Sequence, residues 1–365
     1  MYDQFQGDTL FIILYSVVAA VAMMAGCYLL FSRANAFAIG ITPPRRLRRW
    51  TGVFLVFLAL NHAWYMQLFF LSSADDILMA DLIGGLLQCV TLLPAALIVL
   101  LAMLQDRRRP LWPLGLMIAP AVVGMAACVV SRSEALFPVI YAYDLPLIIG
   151  LIAYMVRALR QYGRWLRDNY ADLEHKEIWR SFIVLAIILL AFTVNELCDK
   201  APVYEYAMLV VTAVLIFYLL WRVETLSDLS MQKVSGPDSQ YAFATSQPKD
   251  FALLLQRHCI DTQLYLQYDL NITQLAKTVG TNRYYLSQYF SSQGITYNTY
   301  INDLRINHFT RLYREAVAEG RPFTAQQLAS ESGYRSYSTF RLAFKQRMGQ
   351  NVREWMHDLT PNSQD

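Results

Sequence analysis

Two short polar segments carry the side chains best suited to recognising another molecule. They are TNRYYLSQYF, residues 281–290, and YRSYSTFRLAFK, residues 334–345. Tyr, Ser, Gln and Arg supply hydrogen-bond donors and acceptors, and Arg adds a fixed charge on a planar fork of donors. Neither these segments nor the rest of the sequence shows a phosphate-binding loop, a nucleophile with its base, or a carboxylate pair at workable spacing. We therefore predict that the protein acts by recognition and that it is not an enzyme.

The first segment is predicted to be the second helix of a helix-turn-helix unit. An apolar stripe before it marks a short helix, formed by Ile272, Leu275, Ala276 and Val279. Gly280 ends that helix, and Asn282 can cap the next one. In the second helix Leu286 and Phe290 lie four residues apart and face the core. The outer face then carries four polar side chains, Arg283, Tyr284, Ser287 and Gln288.

The second segment repeats this layout. In TAQQLASESGYRSYSTFRLAFKQRMG the turn residue is Gly333, and Phe340 and Phe344 take the core-facing positions. The predicted units cover residues 272–293 and 324–348. Between them YNTYINDLRINHFTRLYREAV is predicted to be a helix of about 21 residues, about 30 Å long and close to the roughly 34 Å of one DNA turn. Two second helices on one such connector could reach successive major grooves.

The paired units resemble a known family. LAKTVGTNRYYLSQYFSSQGITYNTYINDLRI followed by LASESGYRSYSTFRLAFKQRMG is similar to the DNA-binding domain of AraC/XylS-type transcription regulators, over about Phe251 to Leu359. The resemblance implies double-stranded DNA as the partner. It also implies base contacts from Tyr284, Ser287, Gln288, Tyr337, Ser338 and Arg341, and phosphate contacts from Arg283, Arg335 and Lys345. After Gly349 the chain departs from the family's usual Thr-Pro, although Asn351 can still cap a last helix.

Charge and composition divide the chain into two halves. The 365 residues are 56% hydrophobic and 16% charged, with a formal net charge of +3. Residues 250–365 hold 12 of the 31 Lys and Arg residues and ten of the 28 acidic residues. This excess of cations is small for a DNA-binding domain, because phosphate neutralisation supplies most non-specific affinity. We therefore expect a homodimer on DNA, in which the second copy binds at high effective concentration.

The N-terminal half contains seven apolar stretches close to the roughly 20 residues that a membrane-spanning helix needs. They are approximately 9–32, 50–71, 78–104, 111–130, 135–156, 179–197 and 204–221. Fourteen Lys and Arg residues lie in the first, third and fifth loops, whereas the opposite side offers only Arg132 and Lys200. Since cationic short loops stay in the cytoplasm, the N-terminus is predicted outside and the C-terminal domain inside.

Polar residues inside the predicted spans mark a candidate ligand site. His62, Asp81 and Asp144 are the candidates, because polar groups at membrane depth usually face the interior of a helix bundle. The alternative is that such groups only form interhelical hydrogen bonds. No second His or Cys lies beside His62 at ligand spacing, so we predict no metal site, and no cofactor is indicated.

Taken together, the patterns predict an all-α protein with a seven-span membrane domain (1–222), a linker (223–249) and a DNA-binding domain (250–365). This arrangement resembles the membrane-tethered AraC-type regulators of Bacteroidota-like bacteria, which implies a multi-pass protein of the bacterial inner membrane. We expect it to couple a small-molecule or protein signal, sensed in the lipid bilayer, to promoter binding. Three alternatives remain open: a transporter or membrane enzyme with a reporting tail, a plain anchor, and a helical module that binds protein.

Overall fold

The computed structural model describes residues 8–32, 34–38, 41–107, 109–173, 176–197, 202–229 and 251–359, without the side chains of residues 189–197 and 202. These residues form helices joined by short connections, and their only bridge outside helices pairs Tyr170 with Asn271. The predicted all-α fold class is confirmed.

Every predicted apolar stretch contains a helix in the structure. The bounds are α1 Thr9–Phe31, α2 Arg45–Tyr65, α3 Ala74–Leu87, α4 Leu93–Met103, α5 Trp112–Ser131, α6 Phe137–Asn169, α7 Trp179–Leu197 and α8 Pro202–Thr225. A π-helical turn, Gln88–Leu92, joins α3 to α4, so these two helices fill one predicted stretch. Among the described residues, and with α3 and α4 counted as one, six helices are long and apolar enough to cross a membrane, whereas the apolar part of α7, Trp179–Ile188, is shorter.

The chain divides into two compact units. The first comprises Met1–Tyr162 and Ile178–Pro237, and the second comprises Gly163–Glu177 and Asp238–Asp365. The end of α6 and the connection after it thus belong with the C-terminal helices. Sequence patterns gave no sign of this association, because no local periodicity links residues so far apart in the chain.

The first unit fixes the C-terminal end of α8 by buried polar contacts. Arg48 donates to the carbonyl oxygens of Leu29, Ser32 and Ala34, and its Nη2 lies 3.8 Å from Oε1 of Glu224. Glu224, which is fully buried, accepts hydrogen bonds from the backbone amides of residues 36 and 37. Gln105 then bonds to the backbone of residues 227 and 229. The chain is held to residue 229, and most of the predicted linker, residues 230–249, lies outside the described residues.

The C-terminal unit is built around one long helix that enters two hydrophobic cores. Its helices are α9 Phe251–Leu255, α10 Ile272–Val279, α11 Arg283–Ser292, α12 Tyr297–Ala318, α13 Ala325–Glu331, α14 Tyr337–Met348 and α15 Val352–Leu359. Tyr297 and Ile301 of α12 lie in the first core, with α10 and α11. Phe309 and Tyr313 of α12 lie in the second, with α13, α14 and α15. With 22 residues, α12 is about 33 Å long, close to the predicted length of about 30 Å.

Arg305, at the middle of α12, joins the two halves of this unit. The first half is built around the core of α10 and α11, and the second half around the core of α13, α14 and α15. It is 1% exposed. Its Nε donates to the carbonyl of Tyr265 (2.7 Å) and its Nη2 to the carbonyl of Gln267 (2.6 Å), both in the first half. The guanidinium also lies over the ring of Tyr334 in the second half, 5.5 Å from its centre. A buried guanidinium with these partners fixes the relative position of the two halves.

Candidate nucleic-acid interface

The first helix-turn-helix has the predicted cap and turn. Asn271 and Gln274 form a capping box at the start of α10, and Gly280 ends the helix with φ +79°. The Oδ1 of Asn282 accepts from the amide of Tyr285, which caps α11. The stripe of α10 and the core-facing pair of α11 are buried as predicted, namely Ile272, Leu275, Ala276, Val279, Leu286 and Phe290.

The second helix-turn-helix has the same kinds of cap and turn, and its turn is more closely packed. Thr324 caps α13 and Ser336 caps α14, each through a bond to the amide three residues later. Gly333, at φ +86°, packs so closely on the backbone of Leu266 that a Cβ would lie 2.8 Å from its Cα and O atoms. Phe340 and Phe344 are completely buried. The turn of the second helix-turn-helix therefore packs directly against Leu266, in the first half of the C-terminal unit.

The outer faces of α11 and α14 are open to solvent. Seven of the nine predicted contact residues are exposed: Arg283, Tyr284, Gln288, Arg335, Ser338, Arg341 and Lys345. Ser287 and Tyr337 are partly buried, and Tyr337 packs against the second core. Apart from those two, the side chains project where a major groove could receive them. Leu342, 58% exposed, lies on the same face of α14.

Leu342 was not among the predicted contact residues, because only polar and charged side chains of this helix were considered. With Phe340 and Phe344 in the core, a helical projection places Leu342 on the opposite side. An exposed apolar side chain there is suited to the methyl group of a thymine. Its helical offset from the core pair was the signal that could have found it.

The start of α15 is capped by its own acidic residue. The amide of Asn351 donates to Glu354, 3.1 Å away, and the Asn351 side chain donates to the other carboxylate oxygen. The backbone hydrogen bond from Asn351, followed by the side-chain bond, lowers the pKa of Glu354. The predicted last helix is thus present, although Asn351 acts here as a donor and Glu354 supplies the acceptors.

His308 on α12 adds a titratable group between the two halves. Its Nδ1 lies 3.0 Å from the hydroxyl of Tyr265 and 3.2 Å from Nη2 of Arg311. Since a guanidinium can only donate, Nδ1 must accept, which requires a neutral imidazole. Burial lowers the pKa of His308, Arg311 lowers it further, and Glu315 and Glu331 oppose the shift.

The candidate ligand residues of the first unit are all partly buried. The Nδ1 of His62 lies 3.0 Å from the carbonyl of Leu58, and its ring centre lies 4.8 Å from that of Tyr15. Asp81 lies on α3 and Asp144 on α6. Among the described residues, no group of three or more His, Cys, Asp or Glu side chains could hold a metal ion.

Comparison with known proteins agrees with the geometry of the second unit. A family model described as a helix-turn-helix domain matches residues 275–358, which include α11 to α14 and nearly all of α15. The search of curated proteins found no match, and neither did the search of solved structures. The residues before 275 have no family assignment. The C-terminal part of the chain is therefore a helix-turn-helix domain of the AraC type, the DNA-binding module of a family of transcription regulators.

Proposed function

We propose that the protein is a membrane-anchored transcription regulator that binds promoter DNA in a sequence-specific manner. The observation that carries this proposal is the pair of solvent-exposed polar faces on α11 and α14, held on one connector helix within a domain of the AraC type. Arg341 and Gln288 suit base edges, since a guanidinium pairs with the O6 and N7 of guanine and a carboxamide pairs with adenine. Arg283, Arg335 and Lys345 suit phosphates.

The proposal places the first unit in the bacterial inner membrane as a seven-span bundle with the N-terminus outside. Six described helices of sufficient length and apolarity support it, with the shorter apolar helix α7 counted as a further span, together with the cationic loops on one side of the predicted topology. The same side carries the C-terminal domain, which puts the DNA-binding surface in the cytoplasm. The bilayer restricts such a regulator to DNA that approaches the membrane.

Two copies are proposed to act together on DNA. One domain offers four exposed cations among its proposed contacts, and each phosphate neutralised contributes to a salt-dependent affinity. Two copies confined to the same membrane raise the effective concentration of the second without any new contact. The signal that they transmit is proposed to enter through the bundle, at polar residues such as His62, Asp81 and Asp144.

Mapping the genomic DNA bound by the intact protein in cells tests the proposed function directly. We expect discrete sites that share a sequence with two half-sites about one helical turn apart. Uniform recovery of the genome would contradict sequence-specific binding.

A second experiment tests the proposed signal site. His62→Ala and Asp144→Asn should change transcription of the genes at those sites at unchanged protein level, since a ligand acts only through differential affinity for two states. A fall in folded protein alone would assign these groups a structural role.

A further inference from the structure

The connection that follows α6 is buried within the C-terminal unit. Residues 169–172 are four consecutive residues with exposed fractions between 1% and 6%. Ala171 belongs to the first core, together with Leu270, Ile272 and Tyr297. Connections usually run over the surface, because a buried one must find partners for its backbone N–H and C=O groups. We call residues 169–172 the docking segment.

Two asparagine side chains of α12 supply such partners. The Nδ2 of Asn298 donates to the carbonyl oxygen of Ala171 at 2.6 Å and to that of Tyr170 at 3.1 Å. The Nδ2 of Asn302, one turn later on α12, donates to the Ala171 carbonyl at 3.3 Å. A side-chain amide that pairs with backbone carbonyls recognises the path of the chain and not its side chains.

Other contacts complete the site of the docking segment. The amide of Tyr170 donates to the carbonyl of Leu166 at 2.9 Å, and Tyr170 forms the antiparallel bridge with Asn271, the residue that caps α10. The Nζ of Lys176 donates to the carbonyl of Asp172 at 2.9 Å and lies 5.4 Å from the centre of the Tyr170 ring. The docking segment is thus fixed at the starts of α10 and α12, both of which belong to the first helix-turn-helix half.

The chain joins the two units by two separate routes. Asn169, in the docking segment, is the last residue of α6, which begins at Phe137 and contains the fifth predicted span. The other route is the predicted linker after α8, whose residues 230–249 lie outside the described residues. Cutting the linker therefore leaves α9–α15 in contact with a segment that is still covalently part of α6.

We propose that the docking segment is a second, non-covalent anchor, which holds α9–α15 to the proposed membrane unit after the linker is cut. Cleavage within residues 230–249 alone would then release no free regulator, because release also requires the segment to leave the first core. The surface at the starts of α10 and α12 takes the backbone of the docking segment as its occupant. Docking does not depend on DNA, so failure of this anchor would leave the proposed function intact.

Cleavage of the linker in the full chain, solubilised in detergent, tests the anchor. A recognition sequence for a site-specific protease is inserted within residues 230–249, and denaturing electrophoresis confirms the cut. We expect the two pieces of the wild type to elute together in size-exclusion chromatography. Asn298→Ala removes two of the three bonds from α12, so it should speed separation of the pieces about fivefold or more, the lower end for two hydrogen bonds. Asn307→Ala, at an exposed position of α12, should not.

A second variant separates the hydrogen bonds from packing. Asn298→Asp keeps the shape of the side chain, but its carboxylate can only accept, so the pieces should separate at least as fast as those of Asn298→Ala. In the uncut chain both variants should speed hydrogen exchange of the docking segment and of the start of α10, whereas the amides of α14 should exchange as in the wild type. Immediate separation of the wild-type pieces, or equal rates for Asn298→Asp and the wild type, would overturn the anchor. Equal acceleration of exchange in α14 would also overturn it, because Asn298 would then stabilise the whole unit.

Discussion

Two glycines that end equivalent helices should differ sharply in their tolerance of alanine. Gly280 and Gly333 both have positive φ, +79° and +86°. A Cβ at Gly280 meets nothing within 4 Å, whereas one at Gly333 lies 2.8 Å from backbone atoms of Leu266. The left-handed conformation costs either alanine about 1–2 kcal/mol, offset in part by a stiffer unfolded chain. At Gly333 the overlap adds a further strain of about 1–3 kcal/mol.

Gly280→Ala therefore serves as the matched control for Gly333→Ala. A difference of about 1–3 kcal/mol corresponds to about 5- to 150-fold in an equilibrium constant, since about 1.4 kcal/mol is tenfold. Hydrogen exchange of the slowest amides of α12 in the solubilised chain measures it, because both cores share that helix. Gly333→Ala should accelerate this exchange by that factor more than Gly280→Ala does. Equal acceleration would refute the tight joint between the two halves.

Three further predictions concern the joint, the pH dependence and the topology. Arg305→Met should lower the free energy of unfolding of the second unit by about 3–5 kcal/mol, because two buried charge-assisted hydrogen bonds to carbonyls are lost. Melting of the variant and the wild type measures this difference, and a smaller one would contradict a tight joint. Burial lowers the pKa of His308 in the folded state, so the contribution of this residue to stability is complete above the unfolded pKa of about 6.5 and is lost as the pH falls through the folded-state pKa. His308→Gln should flatten this part of the profile of stability against pH. An unchanged profile would contradict the prediction. A reporter that works only in the cytoplasm should be active when fused after Arg222 and inactive at Ser73, and activity at Ser73 would reverse the topology.

Local patterns predicted much of the fold because its helices are defined by local features. Residues within about one or two turns of each other define the apolar stripe of α10, the cap at Asn282 and the paired phenylalanines of α14. The joint at Arg305 was not predicted, since its partners at residues 265, 267 and 334 lie in other elements. Composition alone could not distinguish this buried arginine from one that binds DNA.

The connection that follows α6, at Tyr170 and Ala171, shows the same limit more strongly. Ala171 lies in the first core although two predicted spans separate it in the sequence from the other residues of that core. Asn298 and Asn302 donate hydrogen bonds to its backbone carbonyl. No side-chain pattern can reveal a partner recognised through its carbonyl groups. The outer face of α11 was accessible to sequence reasoning for the opposite reason, because its core pair defines that face directly. The predicted contact residues of α14 followed instead from the resemblance to the family.

Selection of bound sequences from a randomised DNA pool by the intact, solubilised protein tests the central claim most directly. Arg341→Ala should weaken the best site by about 1–3 kcal/mol and relax the preference at one base pair, and Gln288→Ala should relax a different one. Arg314→Ala removes the same side chain from an exposed position of α12, and it should leave the selected sequence unchanged. Lys345→Ala should weaken all sequences about equally and reduce the salt slope by about one unit. A selected sequence that is identical for the wild type, Arg341→Ala and Gln288→Ala would contradict base reading by α11 and α14.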